Sequence, residues 1–289
     1  MTKNKRLLRR KAVRILSNLY AVLIYSIFYI PVAVMILFSF NDAKRNYYWQ
    51  GFTTEWYGKL FSFANTDLWD ALLYSLIIAV LATLISVTIG VLGGIGLKKF
   101  EFRTKRFINM MIYVPIIVPE IVLAVAMLII FMTVGIRLGM GTILIGHCTF
   151  CIPYAVVTIK EGRITGDSET LQEASMDLGA NRFQTFWRVT VPSIMPGILS
   201  SAFLAFTLSI DDVVMSNMLA GPSQSTLPVL ILSLNRTGIT PDVNALTTVM
   251  VALMVAGMLV LNGVQRHLKK RENRLAAGVE TKRSSAHAA

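Results

Sequence analysis

The stretch ETLQEASMDLGANRFQTFWRVTVP, residues 169–192, is a polar insert between two apolar segments. Thr170 followed by Glu173 has the spacing of a capping box, in which each side chain satisfies a backbone N–H of the first turn. A helix is therefore predicted to start there. Leu171, Ala174, Ser175 and Leu178 fall at i, i+3, i+4 and i+7 and form one small, mostly apolar face. Gln172, Glu173, Met176 and Asp177 lie off that face. Gly179 is placed to end the helix in a left-handed cap. Asn181 with Gln184 offers a second helical start, Phe183, Phe186 and Trp187 share the face that follows, and Pro192 is expected to close the unit. Two short helices between membrane spans suggest a docking surface for another protein.

The order Glu173-Ala174-Ser175, Gly179, Val189-Thr190-Val191-Pro192 resembles the EAA loop of bacterial ABC-transporter permeases. Ser175 stands where Ala is usual, and Val189 and Val191 replace longer aliphatic residues. The resemblance implies a coupling helix seated in a groove of a cytoplasmic ATPase subunit, with Glu173, Ala174, Asp177, Leu178, Gly179 and Pro192 as the coupling residues. The plain alternative is an ordinary amphipathic loop helix.

Outward from the insert the chain is apolar. Its 289 residues are 54% hydrophobic and only 15% charged, which excludes a soluble domain of ordinary make-up. Six apolar runs reach spanning length, at about 19–40, 71–97, 108–134, 141–159, 194–219 and 245–264. The expected fold is an all-α membrane protein with six transmembrane helices in one permease domain, residues 19–265. Basic tails flank it at 1–18 and 266–289, the second expected to be disordered. The first run is long and lacks a small-residue cleavage site, so no removable signal peptide is expected.

The net charge of +12 raises the question of nucleic acid, and its distribution answers it. The N-terminal tail holds seven Lys or Arg, the second connection five, the fourth four and the C-terminal tail seven. The odd connections carry Lys44, Arg45, Lys59, Arg137 and Arg236. By the positive-inside rule both termini and the insert are cytoplasmic. The basic excess is a topology signal with weak attraction to membrane lipid, and no nucleic-acid partner is expected. Cys148 and Cys151 cannot build a four-ligand zinc site, and small apolar packing is their expected role. No GxxxxGK[ST] occurs, so the chain shows no nucleotide site and no cofactor of its own.

Several features mark the spans. The first outer connection is crowded with aromatics from Tyr47 to Trp69, Phe63 among them. It reads equally as an interfacial belt with a short helix after Thr54, or as a lip that meets an external binding protein. Gly90 and Gly94 form a GxxxG pair that permits close helix crossing. Pro115 and Pro119 imply a kinked or broken third span, with Glu120 directly after. His147 in the fourth span reads as a hydrogen-bonded packing residue. The fifth span is expected to run through Asp211-Asp212 and to end at Gly221-Pro222.

Glu120, Asp211 and Asp212 are the only carboxylates inside the six runs, and no Lys or Arg lies there to pair with them. Each costs about 2.5–3.5 kcal/mol at membrane depth, so the three are expected to face a watery cavity rather than lipid. Such a cluster suits a cationic solute, which becomes the missing partner, and Tyr113 and Tyr154 add cation–π faces. Two alternatives stand: one carboxylate kept protonated by desolvation, or Asp211 and Asp212 capping a broken helix.

Phe206–Val214 (FTLSIDDVV), Gly221-Pro222, Trp49–Thr54 (WQGFTT) and Pro241–Leu246 resemble the spermidine/putrescine (PotC-type) permeases of ABC importers, across roughly residues 15–265. The resemblance implies a type I importer permease in a bacterial inner membrane, with Glu120, Asp211 and Asp212 on a polyamine path. It implies a heterodimer with a second permease, two ATPase subunits carrying ATP and Mg, and a periplasmic polyamine-binding protein. The chain itself is then a permease and not an enzyme. An ABC importer for another solute (iron, thiamine or an anion) and a proton-coupled secondary transporter are the competing readings.

Overall fold

A computed structural model describes residues 2–62, 66–161, 166–222, 225–235, 238 and 240–287; Phe63, Arg163 and Arg236 lie outside the described residues. The elements are α1 (Thr2–Phe38), α2 (Glu55–Phe61), α3 (Thr66–Lys99), α4 (Lys105–Ile117), α5 (Glu120–Val134) and α6 (Met140–Glu161). After them come α7 (Gly166–Asp177), α8 (Arg182–Thr185), a π-helical turn (Phe186–Thr190), α9 (Val191–Ile210), α10 (Val214–Leu219), α11 (Leu227–Asn235) and α12 (Pro241–His287). Among the described residues the one extended pairing is an isolated antiparallel bridge between Asn41 and Phe52. Helix is the form an apolar run takes when no water is present to satisfy its backbone.

Among the described residues five helices are long and apolar enough to cross a membrane, and a sixth span is formed if α4 and α5 are counted together across a 105° bend. The tail after Arg266, expected to be disordered, continues as helix in α12. Its Ala, Leu, Glu, Lys and Arg are strong helix formers.

The chain divides into two compact units, residues 1–66 with 234–253 and residues 67–233 with 254–289. In the first, the connection after α1 folds around Asn41, which is fully buried. Asn41 Nδ2 donates to the Tyr48 carbonyl at 2.9 Å, its Oδ1 accepts from the Gln50 N–H at 2.8 Å, and its carbonyl accepts from Trp56 Nε1 at 2.8 Å. One amide thus supplies the partners that the chain loses where α1 ends. Phe40 stacks on Phe52 at 5.3 Å between ring centroids, and α2 begins directly after Thr54, where the sequence places a short helix.

In the second unit α6 is the most enclosed of the spanning helices. Ile143, Phe150 and Cys151 of α6 pack with Tyr74 and Ile78 of α3, Ala124 and Phe131 of α5, Ala205 of α9, and Met215 and Leu219 of α10. The GxxxG pair on α3 faces α6. A Cβ added at Gly90 would stand 2.7 Å from the Ala155 Cβ, so the crossing tolerates hydrogen alone.

The insert folds as two helices joined at Gly179, whose φ of +90° is the left-handed cap that its position predicts. Asn181 and Gln184 form a reciprocal capping box at 2.8 and 3.1 Å, opening α8. Three details differ from expectation. The first helix starts at Gly166, ahead of the Thr170 box. The face carrying Leu171 and Leu178 is exposed, whereas Gln172 is buried. Its Oε1 accepts from Lys99 Nζ of α3 at 3.0 Å, so a polar contact and not apolar packing seats the helix. Finally, Pro192 does not close the unit. The chain passes through the π turn, where the Val191 N–H reaches back to the Phe186 carbonyl, and continues as α9. Pro192 removes one helical N–H and crowds the carbonyl four residues earlier, and the widened turn accommodates both effects.

Candidate functional site

Two helix breaks build the site. At the first, Val118 and Pro119 are extended, with ψ of 132° at each, between α4 and α5. Proline disfavours helix in the residue before it and supplies no N–H, so the helix stops and restarts. Glu120 is the first residue of the new helix. At the second break α9 ends with Asp211 as its C-cap, and α10 begins at Val214. The Asp212 carboxylate accepts from the Met215 N–H at 3.3 Å through Oδ1 and from the Ser216 N–H at 2.8 Å through Oδ2. It thereby satisfies the free N–H groups at the start of α10.

The breaks meet at a cavity of about 590 Å³ lined by Glu120, Tyr154, Asp211 and Asp212 among apolar residues that include Leu123, Phe150 and Leu208. Glu120 and Asp211 are exposed into it, Tyr154 is half-buried, and Asp212 is buried.

Tyr113 is not brought to this cavity. It lines a separate hollow of about 490 Å³ with Arg103, Lys105, Arg106 and Asn109. Tyr113 lies on α4, before the 105° bend that carries Glu120 away from it.

The sequence reading also missed a partner. His147 Nε2 lies 3.0 Å from Asp212 Oδ2, Nδ1 lies 2.6 Å from Ser209 Oγ, and Nε2 is 3.1 Å from Ser216 Oγ. The expectation of three carboxylates without any basic partner is therefore corrected: Asp212 has one. The available signal was that His147 is the one basic residue inside the six apolar runs. Cys148 and Cys151 are free and buried, and Cys151 Sγ meets the Ala205 carbonyl at 3.6 Å. Among the described residues no group of three His, Cys, Asp or Glu is arranged to hold a metal.

The insert presents a second candidate surface. Leu178 is 90% exposed, Phe183 72% and Trp187 55%, and the Phe183 and Trp187 rings meet edge to face at 6.3 Å. Glu173, Ala174 and Asp177 are exposed beside Leu178, and Pro192 is exposed at the start of α9. A concentration of exposed apolar side chains on a polar segment marks a surface made for contact with a protein or a membrane.

Residues 86–274 match the family described as binding-protein-dependent transport system inner membrane component. The chain is 39% identical over 241 residues to the spermidine/putrescine transport system permease protein PotC of Haemophilus influenzae, covering 83% of this chain and 93% of that one. It is 37% identical to PotC of Escherichia coli K12, with 89% and 96% covered, and 33% identical to the putrescine transport system permease protein PotI of the same strain, with 86% and 90% covered. A bacterial alginate ABC transporter in complex with its alginate pentasaccharide-bound periplasmic protein superposes with a TM-score of 0.64 at 14% identity, over 92% of this chain and 96% of that one. The MetNI methionine ABC transporter in an inward-facing conformation superposes with a TM-score of 0.55 at 18% identity, over 72% and 97%. The helical architecture is thus that of type I ABC importer permeases. On its sequence match and its spans, this chain belongs to the family of binding-protein-dependent transport system inner membrane components, multi-pass subunits of bacterial ABC importers.

Proposed function

We propose that this chain is a permease subunit of an ATP-driven polyamine importer, forming half of the path for spermidine or putrescine. The observation that carries the reading is the pair of carboxylates, Glu120 and Asp211, opening at two helix breaks into a cavity with no Lys or Arg among the described residues of its lining. A cation satisfies such acids at membrane depth, whereas an anion adds to the repulsion. The named activities of the PotC and PotI relatives support the same cargo class. Tyr154 and Phe150 add aromatic walls for the methylene chain and ammonium groups of a polyamine.

The other half of the path comes from a second permease. Two ATPase subunits hold ATP and Mg, and a periplasmic binding protein delivers the cargo. In this arrangement both basic termini and the α7–α8 insert are cytoplasmic, and Leu178, Phe183 and Trp187 seat in the ATPase. Helix runs without a gap from α8 through the π turn and α9 to the Asp211 cap. The twenty residues of α9 alone span about 30 Å at ~1.5 Å per residue. Closure of the ATPase pair then moves a stiff rod whose far end bears a cargo carboxylate.

Uptake of labelled spermidine and putrescine by the whole complex tests the reading. The Glu120→Gln/Asp211→Asn double variant is expected to lose most uptake while remaining in the membrane. Uptake at the parent rate would overturn it.

A further inference from the structure

We infer that the three acids divide the work: Glu120 and Asp211 meet the ammonium groups of the cargo, whereas Asp212 is a positioning residue that never ligates it. The inference rests on the polyamine reading above and concerns which carboxylates have room for a cation.

An ionised carboxylate offers about four acceptor positions. Three of those of Asp212 are taken within this chain. The Met215 N–H occupies Oδ1 at 3.3 Å, and the Ser216 N–H and His147 Nε2 occupy Oδ2 at 2.8 and 3.0 Å. The Asp212 side chain is only 2% exposed, so an ammonium reaching it must first displace one of these partners. Asp211 has the opposite environment: it is exposed to the cavity and forms no ion pair among the described residues.

The imidazole shows what Asp212 is held for. His147 sits on α6, Ser209 is in the last turn of α9, and Ser216 is in α10, so one ring joins the two sides of the break through Nδ1 and Nε2. Asp212 adds the cap of α10. The carboxylate at position 212 therefore fixes the backbone from which Asp211 projects. A buried anion held by three partners in this way sets geometry, and the exposed neighbours do the binding.

The test is equilibrium binding of labelled putrescine and spermidine to the purified complex in nanodiscs without its periplasmic protein, alongside uptake rates. Asp211→Asn and Glu120→Gln are expected to weaken binding about tenfold or more, the size of one lost charge-assisted hydrogen bond. Asp212→Asn keeps an oxygen for Ser216 and His147, and binding is expected to stay within about twofold while uptake slows, since one such bond is not lost. Asp212→Ala is expected to lose uptake or assembly, and rescue by Asn marks the positioning role. Binding weakened by Asp212→Asn as much as by Asp211→Asn would overturn the division while leaving the cation path standing. Binding unchanged in all three single variants would overturn the polyamine path itself. Should Asp212→Asn fail to assemble, His147→Gln decides: unchanged binding supports the division, and tighter binding, from an Asp212 freed for cargo, overturns it.

Discussion

His147 Nε2 lies 3.0 Å from Asp212 Oδ2, with the two side chains 1% and 2% exposed. The pair joins α6 to the short segment between α9 and α10, where the backbone leaves the helix and cannot hold itself. Its surroundings make it costly to break, because a carboxylate left alone at that depth has neither water nor a counter-group.

His147→Leu is therefore expected to destabilise the chain by about 3–5 kcal/mol, the usual cost of stranding one member of a buried pair. His147→Gln retains a donor and is expected to lose less. The thermal midpoint of the purified complex and the amount of chain in the membrane check this. A parent-like midpoint for the leucine variant would show that the imidazole contributes nothing to the fold.

Gly90→Leu is expected to abolish close packing of α3 on α6. Even a methyl group would stand 2.7 Å from the Ala155 Cβ, and real atoms do not approach so closely. Overpacking typically costs about 1–3 kcal/mol, and backbone contact leaves little room for relief. Gly96→Leu is the matched control, since nothing lies within 4 Å of a Cβ there. Equal membrane levels for the two variants would refute the crossing.

Leu178→Glu and Glu173→Lys are expected to leave the chain in the membrane and to uncouple ATP hydrolysis from uptake. Leu178 is 90% exposed, so a charge there harms no packing within this chain and acts only where a partner covers it. Gly179→Asp adds backbone strain, because φ of +90° is disfavoured for any residue with a Cβ. Co-purification of the ATPase with each variant gives the readout. Full coupling in all three would remove the docking assignment.

Lys99→Met and Gln172→Leu each break the 3.0 Å contact between the end of α3 and α7. Either change is expected to lower the number of cargo molecules moved per ATP without removing the ATPase from the complex. The ratio of uptake to hydrolysis in reconstituted vesicles measures this, and an unchanged ratio would confine the contact to local packing.

Much of this was legible in the sequence, and the misses share a cause. The spans follow from apolar length alone, and Gly179, the Asn181–Gln184 box and Pro119 each impose local backbone geometry that neighbours cannot override. Glu120, Asp211 and Asp212 were legible as a group because acids are expensive in lipid. Their division was not, since His147 is distant in sequence from Ser209, Asp212 and Ser216 and no local pattern announces the meeting. Tyr113 misled for a related reason: it precedes Glu120 closely in sequence, and the sharp bend at Pro119 lies between them. Leu171 and Leu178 misled because apolar periodicity marks a face to be covered without saying whether this chain or another covers it.

The restart of α5 at Glu120 has one more implication. Glu120 stands in the first turn of α5, at the positive end of that helix, and Asp212 caps the start of α10. The positive end of each short dipole soothes the acid beside it by a few tenths of a kcal/mol up to about 1 kcal/mol. An empty transporter can thus idle between passengers without forcing bare anions onto oil, and it gives up little when the next one leaves.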